Sequence, residues 1–256
     1  MSHRPNLEPL EQIAHKVAAE WGVELGPRFT LARYSYVAPA GDDAVLKVTP
    51  PEDDESDEEA DALALWDGDG AVRLLRRDRR RRALLVERAR PGHDLADLPD
   101  EDATAIAVEV GLRLWRPAAE PFRWIGDHVP RWMDAVERSG EPGSELIPVA
   151  RELYAALDVG RATLVHGDFH HHNLLAAGDR YLAIDPKPML GEPEFDVPSF
   201  LWNPLSYRMR PEVTERRIAA FAEAGLREDR ICAWAVIRGA YLGAEPDEVR
   251  VLRALL

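Results

Sequence analysis

The chain has 256 residues, of which 46% are hydrophobic and 30% charged, and its formal net charge is -14. This length suffices for one large domain or two lobes, and the composition excludes a chain that is disordered throughout. The acidic balance argues against nucleic-acid binding, because phosphate backbones are bound by surfaces rich in Lys and Arg. A small cationic substrate fits this charge better.

The sequence shows no pattern for export or membrane insertion. No apolar run approaches the roughly 20 residues that a membrane span requires, and the first residues lack the continuous apolar core of a secretory signal. A single cysteine, Cys232, cannot form an internal disulfide. We therefore expect a cytoplasmic protein that binds neither membranes nor nucleic acids. The sequence does not fix the oligomeric state, and we take a monomer as the expectation.

The first third of the chain predicts one helix followed by β-structure. Apolar residues recur at helical spacing in residues 7–21, which indicates an amphipathic helix. Residues 28–40 and 42–48 are rich in β-forming side chains and predict the two strands of a hairpin. The Arg-rich residues 71–88 predict two further strands. Because no aromatic residue interleaves those arginines for base stacking, a solvated hairpin tip is favoured over a nucleic-acid contact.

Lys47 lies within the second predicted strand, in the sequence VLKV. An ammonium there points either to solvent or to a phosphate, as a strand lysine does in nucleotide kinases. Residues 55–68 then predict a helix with one apolar stripe. At about 100° per residue, Glu59 falls near the middle of that stripe. Glu59 is therefore expected to face inward and pair with Lys47, with Glu55 as its substitute.

Breakers of regular structure, Pro91 and Pro99 among them, follow the last predicted strand. They predict a hinge at residues 89–99. The hinge would separate a nucleotide-binding lobe, residues 1–88, from a helical lobe, residues 100–256, that carries the catalytic loop and the substrate site.

Beyond the hinge the apolar period becomes helical. Asp100 and Ser144 are candidate N-caps, and Gly140 and Gly160 are candidate stops. Residues 191–204 are rich in proline and are expected to be irregular. The predicted helices cover residues 100–115, 129–140, 144–160, 211–225, 227–243 and 246–256.

A polar cluster, HGDFHHHN, follows the short apolar run at Leu164. Asp168 comes five positions before Asn173, and a second apolar run ends at Asp185. Phosphoryl transfer requires a carboxylate to receive the proton of the attacking hydroxyl and oxygen ligands for Mg²⁺. The spacing is that of a kinase catalytic loop. It predicts Asp168 as the base and Asn173 and Asp185 as metal ligands.

The same cluster allows three alternatives. The histidines of the cluster could bind zinc or a dinuclear centre in a metal-dependent hydrolase, although the known zinc signatures are absent. They could also simply pack the loop. A third alternative is a catalytically silent nucleotide-binding relative, which the intact set of charged residues disfavours. The side chains available to a metal would be His166, His170, His171, His172 and Asp168.

The order Lys47, Glu59, LLVER, HGDFHHHN and AIDPK resembles the aminoglycoside phosphotransferases, which are relatives of protein kinases. Within that group, WDGDGAVRLL, ALLVERARPG, LVHGDFHHHNLL and AIDPKPMLGEPEFD resemble the streptomycin 6-phosphotransferase and hydroxyurea phosphotransferase family. The similarity extends from about Val37 onward. It implies an α+β, protein-kinase-like fold of two lobes, with a small β-rich N-terminal lobe and a mainly α-helical C-terminal lobe.

The same resemblance implies ATP and Mg²⁺ as cofactors and transfer of the γ-phosphate to a hydroxyl of a small molecule. A streptomycin-like aminoglycoside is the expected acceptor, and antibiotic resistance by phosphorylation is the expected outcome. Sugars, amino sugars and hydroxyurea are the alternative acceptors.

Roles follow from the resemblance, position by position. Lys47 would bind the α- and β-phosphates and Glu59 would orient it, while His166 would support the loop that carries the base Asp168. Asp196 would brace the catalytic loop or cap a helix. Further candidates are the adenine-binding hinge backbone and the acceptor-binding side chains: Glu87, Arg88 and Ala89 for adenine, and Glu192, Glu194 and Trp202 for the acceptor.

The sequence departs from the protein-kinase pattern in two places. Residues 34–43 lack the Gly-rich loop, and Asp185 is followed by Pro186 and Lys187 instead of Phe and Gly. Both departures argue against a protein substrate. Lys187 would either help to neutralise the phosphates or bond a neighbouring carboxylate.

Overall fold

The computed structural model describes residues 7–53, 57–207 and 210–256. Glu55, the substitute for Glu59, lies outside the described residues. The chain divides into two compact units: Met1–His93 with Leu175–Lys187, and Asp94–Leu174 with Pro188–Leu256. The first break, after His93, falls within the predicted hinge. Among the helices of the described segments, none is long and apolar enough to cross a membrane.

The first unit is built on an antiparallel sheet with the strand order β1-β2-β4-β3. Leu46 and Val48 face the core that helix α1 covers, so Lys47, between them, lies on the opposite face of the sheet. The elements are α1 (Glu8–Trp21), β1 (Tyr36–Ala40), β2 (Ala44–Val48), α2 (Glu59–Trp66), β3 (Leu74–Asp78) and β4 (Ala83–Glu87).

A second sheet of the first unit, with the order β10-β9-β5, delivers Asp185. Val72 donates its N–H to Ala183 O at 3.0 Å, and Ala183 donates to Gly70 O at 2.8 Å. These bonds fix the end of the strand two residues before Asp185. The strands are β5 (Pro91–Asp94), β9 (Leu174–Ala177) and β10 (Arg180–Ala183).

The second unit is mainly helical and is organised around its helix α8. All residues from Ala233 to Ala240 are buried, as expected for a helix enclosed on every side. The helices are α3 (Asp100–Leu114), α4 (Ile125–Ser139), α5 (Ile147–Leu157), α6 (Val197–Leu201), α7 (Pro211–Glu223), α8 (Glu228–Leu242) and α9 (Pro246–Ala254).

A small sheet with the order β6-β8-β11-β7 lies in the same unit. Its strands β8 and β11 are antiparallel, with Met189 opposite Val165, so the chain leaves β8 directly into the polar cluster at His166. The strands are β6 (Arg116–Pro117), β7 (Arg123–Trp124), β8 (Thr163–Val165) and β11 (Met189–Gly191). The predicted α+β class is confirmed, with a β-rich N-terminal part and a helical C-terminal part.

Several boundaries differ from the prediction. The strand expected at residues 28–40 is shorter, because only Tyr36–Ala40 pairs in register with its neighbour, and Leu31 is 89% exposed. The segment expected to be irregular contains α6. High β-propensity and frequent proline were overridden in these places by tertiary packing.

The predicted helix caps were only partly right. Gly140 ends α4 in the left-handed conformation, with φ of 65°, as expected. Helix α5, however, already ends at Leu157, three residues before Gly160. Asp100 and Ser144 make no side-chain cap. Asp100 instead forms buried ion pairs with α7, which satisfy its carboxylate more completely than a cap would.

Candidate active site

Three charged side chains meet within the first unit. Lys47 Nζ donates to both carboxylate oxygens of Glu59, at 2.9 and 2.7 Å, and also to Oδ1 of Asp185. Burial disfavours the ammonium of Lys47, but the two carboxylates outweigh that cost and raise its pKa above the ordinary value. Lys47 is therefore a positive charge held in one place by α2 and by the end of β10.

Asp185 has a strained backbone. Its φ is 55°, in the left-handed region that residues other than glycine seldom adopt, and the next residue is Pro186. Such conformations cost on the order of 1–3 kcal/mol and concentrate at functional sites. In this conformation the carboxylate reaches Lys47 while 45% of the side chain stays exposed. The backbone thus presents a carboxylate that a cation in solution can reach.

The second cluster lies in the second unit, in the loop after β8. Asn173 Nδ2 donates to the backbone oxygen of Asp168 at 2.9 Å and to its Oδ2 at 3.2 Å. His170 Nε2 lies 3.5 Å from Oδ2 of the same carboxylate. The nitrogen of the Asn173 amide is used in these bonds, so its oxygen is the atom that a metal would bind.

Asp168 is held in its ionised form. Burial opposes its ionisation, but His170, His166 and Arg238 outweigh that effect and hold the pKa well below its usual range. The side chain is 39% exposed. An ionised carboxylate that solvent can reach is what a base must offer to an incoming hydroxyl.

Asp196 holds the backbone of this loop. Its Oδ2 accepts the N–H of His166 at 2.8 Å and the indole N–H of Trp115 at 2.9 Å, and its Oδ1 accepts the N–H of Gly167 at 2.7 Å. Asp196 is fully buried. Asp196 therefore bonds the two backbone N–H groups that precede Asp168, and its bracing role stays a prediction.

The histidines of the cluster have separate partners. Among residues 7–53, 57–207 and 210–256, no group of three or more His, Cys, Asp or Glu side chains is arranged to hold a metal ion. His166 Nδ1 accepts the N–H of Asp168 at 3.3 Å, and His170 Nδ1 accepts the N–H of His172 at 3.2 Å. A zinc site would require these rings to converge on one point.

The other two histidines pack the loop. His171 stacks on Phe200, with ring centroids 4.0 Å apart and an interplanar angle of 12°, and its Nε2 lies 3.3 Å from Nη2 of Arg217. Burial lowers the pKa of His171, and the charge of Arg217 adds to that effect. His172 Nδ1 lies 2.7 Å from a carboxylate oxygen of Asp94. Packing is thus part of what the histidine run does.

The predicted adenine-binding backbone already has partners within the first unit. Glu87 donates its N–H to Arg73 O at 2.8 Å, and Arg88 donates to Asp43 O at 2.9 Å. An adenine contact from this segment would therefore come from Ala89 or from carbonyl oxygens.

The predicted acceptor-binding side chains also have structural contacts. The two oxygens of Glu192 each lie 3.0 Å from Nε of Arg230, and Glu194 accepts the N–H of Arg227 at 3.0 Å. Trp202 is 8% exposed. Both carboxylates are engaged, and their role toward an acceptor stays a prediction.

Basic residues outside the two clusters bond nearby acids. Lys187 Nζ lies 3.3 and 3.2 Å from the carboxylate oxygens of Asp53. In the Arg-rich hairpin, Arg77 and Arg79 both donate to Asp61. The hairpin therefore offers paired charges, which differs from the free cationic surface that a nucleic acid would need.

Two contributors to the loop were missed from the sequence. Trp115 donates to Asp196, and Arg238 donates to Gly167 O. The signal for Arg238 was available, since it is a charged residue inside the apolar helical run AWAVIRGA. Trp115 gave no signal, because a tryptophan at a helix end is ordinary core material.

Comparison with known proteins decides the family. A model of the aminoglycoside/hydroxyurea antibiotic resistance kinases matches residues 30–249. The chain belongs to this family. Streptomycin 3''-kinase of Klebsiella pneumoniae is 34% identical over 208 residues, 75% of this chain and 76% of that protein. Hydroxyurea phosphotransferase of Kitasatospora aureofaciens is 35% identical over 236 residues, 85% of this chain and 67% of that protein.

Solved structures of low sequence identity share the fold of this kinase. A choline/ethanolamine kinase family protein from Mesorhizobium loti superposes with a TM-score of 0.65 at 14% identity, over 95% of this chain and 99% of that one. The streptomycin–ATP complex of aminoglycoside phosphotransferase APH(2'')-IIa gives 0.59 at 13% identity, over 96% and 97%. The protein-kinase-like fold is confirmed. The enzyme is a phosphotransferase with a hydroxyl acceptor, and the hydrolase alternative is wrong.

Proposed function

We propose that this kinase transfers the γ-phosphate of ATP to a hydroxyl group of a streptomycin-like aminoglycoside and thereby inactivates the drug. Three of the curated relatives are streptomycin kinases, one acting at position 3'' and two at position 6. A monomeric, cytoplasmic enzyme is part of the same proposal.

The observation that carries the proposal is the placement of Asp168. Its carboxylate is partly exposed and accepts a hydrogen bond from Asn173, so an acceptor hydroxyl can reach an oxygen whose direction is fixed. We assign Asp168 as the general base and His166, whose ring accepts the Asp168 N–H, as the support of its backbone. A histidine packed this deeply, with 0% of its surface exposed, acts on the loop rather than on the acceptor.

The charged residues of the first unit fit a magnesium nucleotide. Lys47 would bind the phosphates, as a strand lysine held by a glutamate does in kinases. Asp185 in this unit and Asn173 in the second unit stay the proposed oxygen ligands of Mg²⁺, and a bound Mg²⁺ would offset the negative charge of the phosphates. Glu59 alone accepts two hydrogen bonds from Lys47. Asp185 could therefore bind a metal in place of Lys47, and Glu59 would still hold the lysine.

The proposed reaction balances with the residues at hand. The acceptor oxygen attacks the γ-phosphorus, the bond from that phosphorus to the bridging oxygen of ADP breaks, and the hydroxyl proton passes to Asp168. Lys47 stabilises the charge that collects on the departing phosphates. Glu192, Glu194 and Trp202 stay the candidates for binding the cationic groups of the acceptor.

Hydroxyurea is the second candidate acceptor. The hydroxyurea phosphotransferase of Kitasatospora aureofaciens aligns with 85% of this chain, a larger share than the 75% aligned with the streptomycin 3''-kinase. Hydroxyurea also presents a hydroxyl to the same base. It requires no binding surface for a large cation, so the two candidates differ in the acceptor contacts and share the phosphate chemistry.

The test is ADP release in the presence of ATP, Mg²⁺ and either streptomycin or hydroxyurea, with mass spectrometry of the product. The streptomycin proposal expects one added phosphate, located by fragmentation at position 3'' or 6. Asp168→Asn should lower turnover by about 10² to 10⁴, the usual weight of general-base catalysis. Phosphorylation of hydroxyurea alone would move the assignment to the second candidate, and normal turnover by Asp168→Asn would remove Asp168 from its role.

A further inference from the structure

Helix α8 carries a buried cation, Arg238, that makes no contact with the groups assigned to the phosphates or to the acceptor. Arg238 is 6% exposed and lies in a helix segment that is otherwise apolar. Within the described part of the chain its guanidinium bonds backbone carbonyl oxygens and forms no ion pair, and its Nε has no hydrogen-bond partner. A buried charge without a direct counter-ion is costly. The contacts that Arg238 does make therefore indicate what it is for.

Those contacts are to the backbone of the two segments that meet at Asp168. Nη1 and Nη2 each lie 3.4 Å from Gly167 O, and Nη1 lies 3.2 Å from Phe195 O. The guanidinium also lies over the ring of Phe195, 4.5 Å from its centroid, where the ring face partly offsets the charge. One side chain thus joins the loop of Asp168 to the segment that bears Asp196.

The peptide units of Gly167 are held at both ends. Its N–H is bound by Asp196 at 2.7 Å, and its C=O is bound by Arg238. Gly167 has φ of 84°, and glycine can leave this conformation at little cost, so the loop alone does not fix it. The residue that follows is Asp168. Rotation about the backbone of Gly167 would change the direction of the Asp168 carboxylate.

We propose that Arg238 is a positioning residue for Asp168, which fixes the Gly167 carbonyl and thereby sets the direction of the base carboxylate. The inference rests on the proposed role of Asp168 as the base. The charge of Arg238 is also one of those that hold the pKa of Asp168 low against the effect of burial. The hydrogen bonds from Asp196 and Arg238 to the two sides of Gly167, which we call the clamp, do not depend on that electrostatic effect.

The test compares Arg238→Met, Arg238→Lys and a matched control, Ile237→Ala. Methionine has a similar length and removes all donors, whereas lysine keeps the charge and can donate to one carbonyl. Ile237 is the neighbouring, fully buried residue of the same helix, and its side chain has no polar atom. Ile237→Ala therefore loosens α8 without touching the hydrogen bonds to the loop.

Arg238→Met should lower kcat about 10- to 100-fold, the usual effect of a reacting group displaced by an ångström. The KM for ATP should change less than about twofold, because positioning of the base contributes to the transition state and not to nucleotide binding. Arg238→Lys should recover part of the lost kcat. Ile237→Ala should lower the melting temperature while kcat stays within about twofold of wild type.

Hydrogen exchange gives a second readout that needs no acceptor. The amides of residues 166–168 should exchange faster in Arg238→Met than in wild type, and Ile237→Ala should not reproduce this change at the loop. If wild type phosphorylates no acceptor, the proposed function fails, and the exchange measurement still tests the clamp.

Three results would overturn the proposal. The first is a folded Arg238→Met protein with wild-type kcat and exchange. The second is an equal loss of kcat in Ile237→Ala. The third applies if the methionine variant does not fold. Arg238→Lys can donate to only one of the two carbonyls, so reduced kcat at unchanged KM supports the proposal, whereas wild-type kcat together with wild-type exchange at residues 166–168 overturns it.

Discussion

Replacing Asp196 with Asn tests the bracing of the catalytic loop by the smallest possible change of shape. The carboxylate accepts three N–H groups, from His166, Gly167 and Trp115, at 2.7 to 2.9 Å. An amide has only one acceptor oxygen. In its best orientation the Asn oxygen accepts the N–H groups of His166 and Trp115. Its NH₂ group then faces the N–H of Gly167, so two donors oppose each other without an acceptor between them.

The expected loss of stability follows from the number of hydrogen bonds that Asp196→Asn removes. Hydrogen bonds to charged groups contribute about 1.5–3 kcal/mol each, and an unsatisfied buried donor costs about 1–3 kcal/mol. Because the neutral amide avoids the desolvation cost of a buried charge, part of this lost stability is recovered. We expect a net loss of roughly 2–4 kcal/mol in the free energy of unfolding. For a chain of this size the melting temperature should fall by roughly 5–12 °C.

The assay combines thermal unfolding with ADP release. Trp115→Phe is the matched control, because it removes one donor and leaves the carboxylate with its two loop bonds, at an expected cost of about 1.5–3 kcal/mol. Asp196→Asn should also lower kcat by about tenfold or more, since it frees the residue next to Asp168. If Asp196→Asn melts no lower than Trp115→Phe and keeps full kcat, the carboxylate does not brace the loop.

Three further predictions concern separate sites. Asp185→Asn keeps a residue that tolerates the left-handed backbone but removes the charge, so the Mg²⁺ concentration for half-maximal activity should rise at least about tenfold; an unchanged Mg²⁺ titration would argue against this ligand. Burial, aided by nearby acids, raises the pKa of the Cys232 thiol to about 11. Alkylation of Cys232 by iodoacetamide at pH 8 should therefore be about 10²-fold slower than that of a free cysteine. Its rate should rise about tenfold per pH unit up to pH 10. A rate equal to that of glutathione would contradict this burial. In Gly143→Ala the added Cβ would lie 2.8 Å from Gly239 O, at a backbone φ of 88°, whereas Gly140 has a φ of 65° and open space around it. Gly143→Ala should therefore lower the melting temperature far more than Gly140→Ala. Equal melting temperatures would count against the packing of α8 in that region.

The sequence was most informative where one short segment contains the whole pattern. The spacing of Asp168 and Asn173 is local, and both residues do lie in contact. Helical periodicity placed α7, α8 and α9 to within a few residues. Glu59 was expected inside from its place on the apolar stripe, and it is 2% exposed and bonded to Lys47.

Local signals failed where a remote partner decides the outcome. Asp100 looked like a helix cap, yet Arg216 and Arg217, more than a hundred positions away, take its carboxylate. Glu192 and Glu194 were predicted to bind the acceptor from just beyond a strand. Each bonds a residue at the start of α8. A cap or a free acid can be read from neighbours in sequence, but an ion pair depends on which helices pack together.

By itself, the sequence determined the polar groups of this kinase and their order along the chain: the strand lysine Lys47, then Asp168, Asn173 and Asp185. Only the tertiary structure decided how the loop of Asp168 is held. Asp196 and Arg238 reach Gly167 from 29 and 71 positions away, and their directions come from the packing of the helical unit. Asp185 likewise adopts its left-handed backbone against local preference. Side-chain chemistry is a property of single residues, whereas orientation is fixed by contacts between segments far apart in the chain.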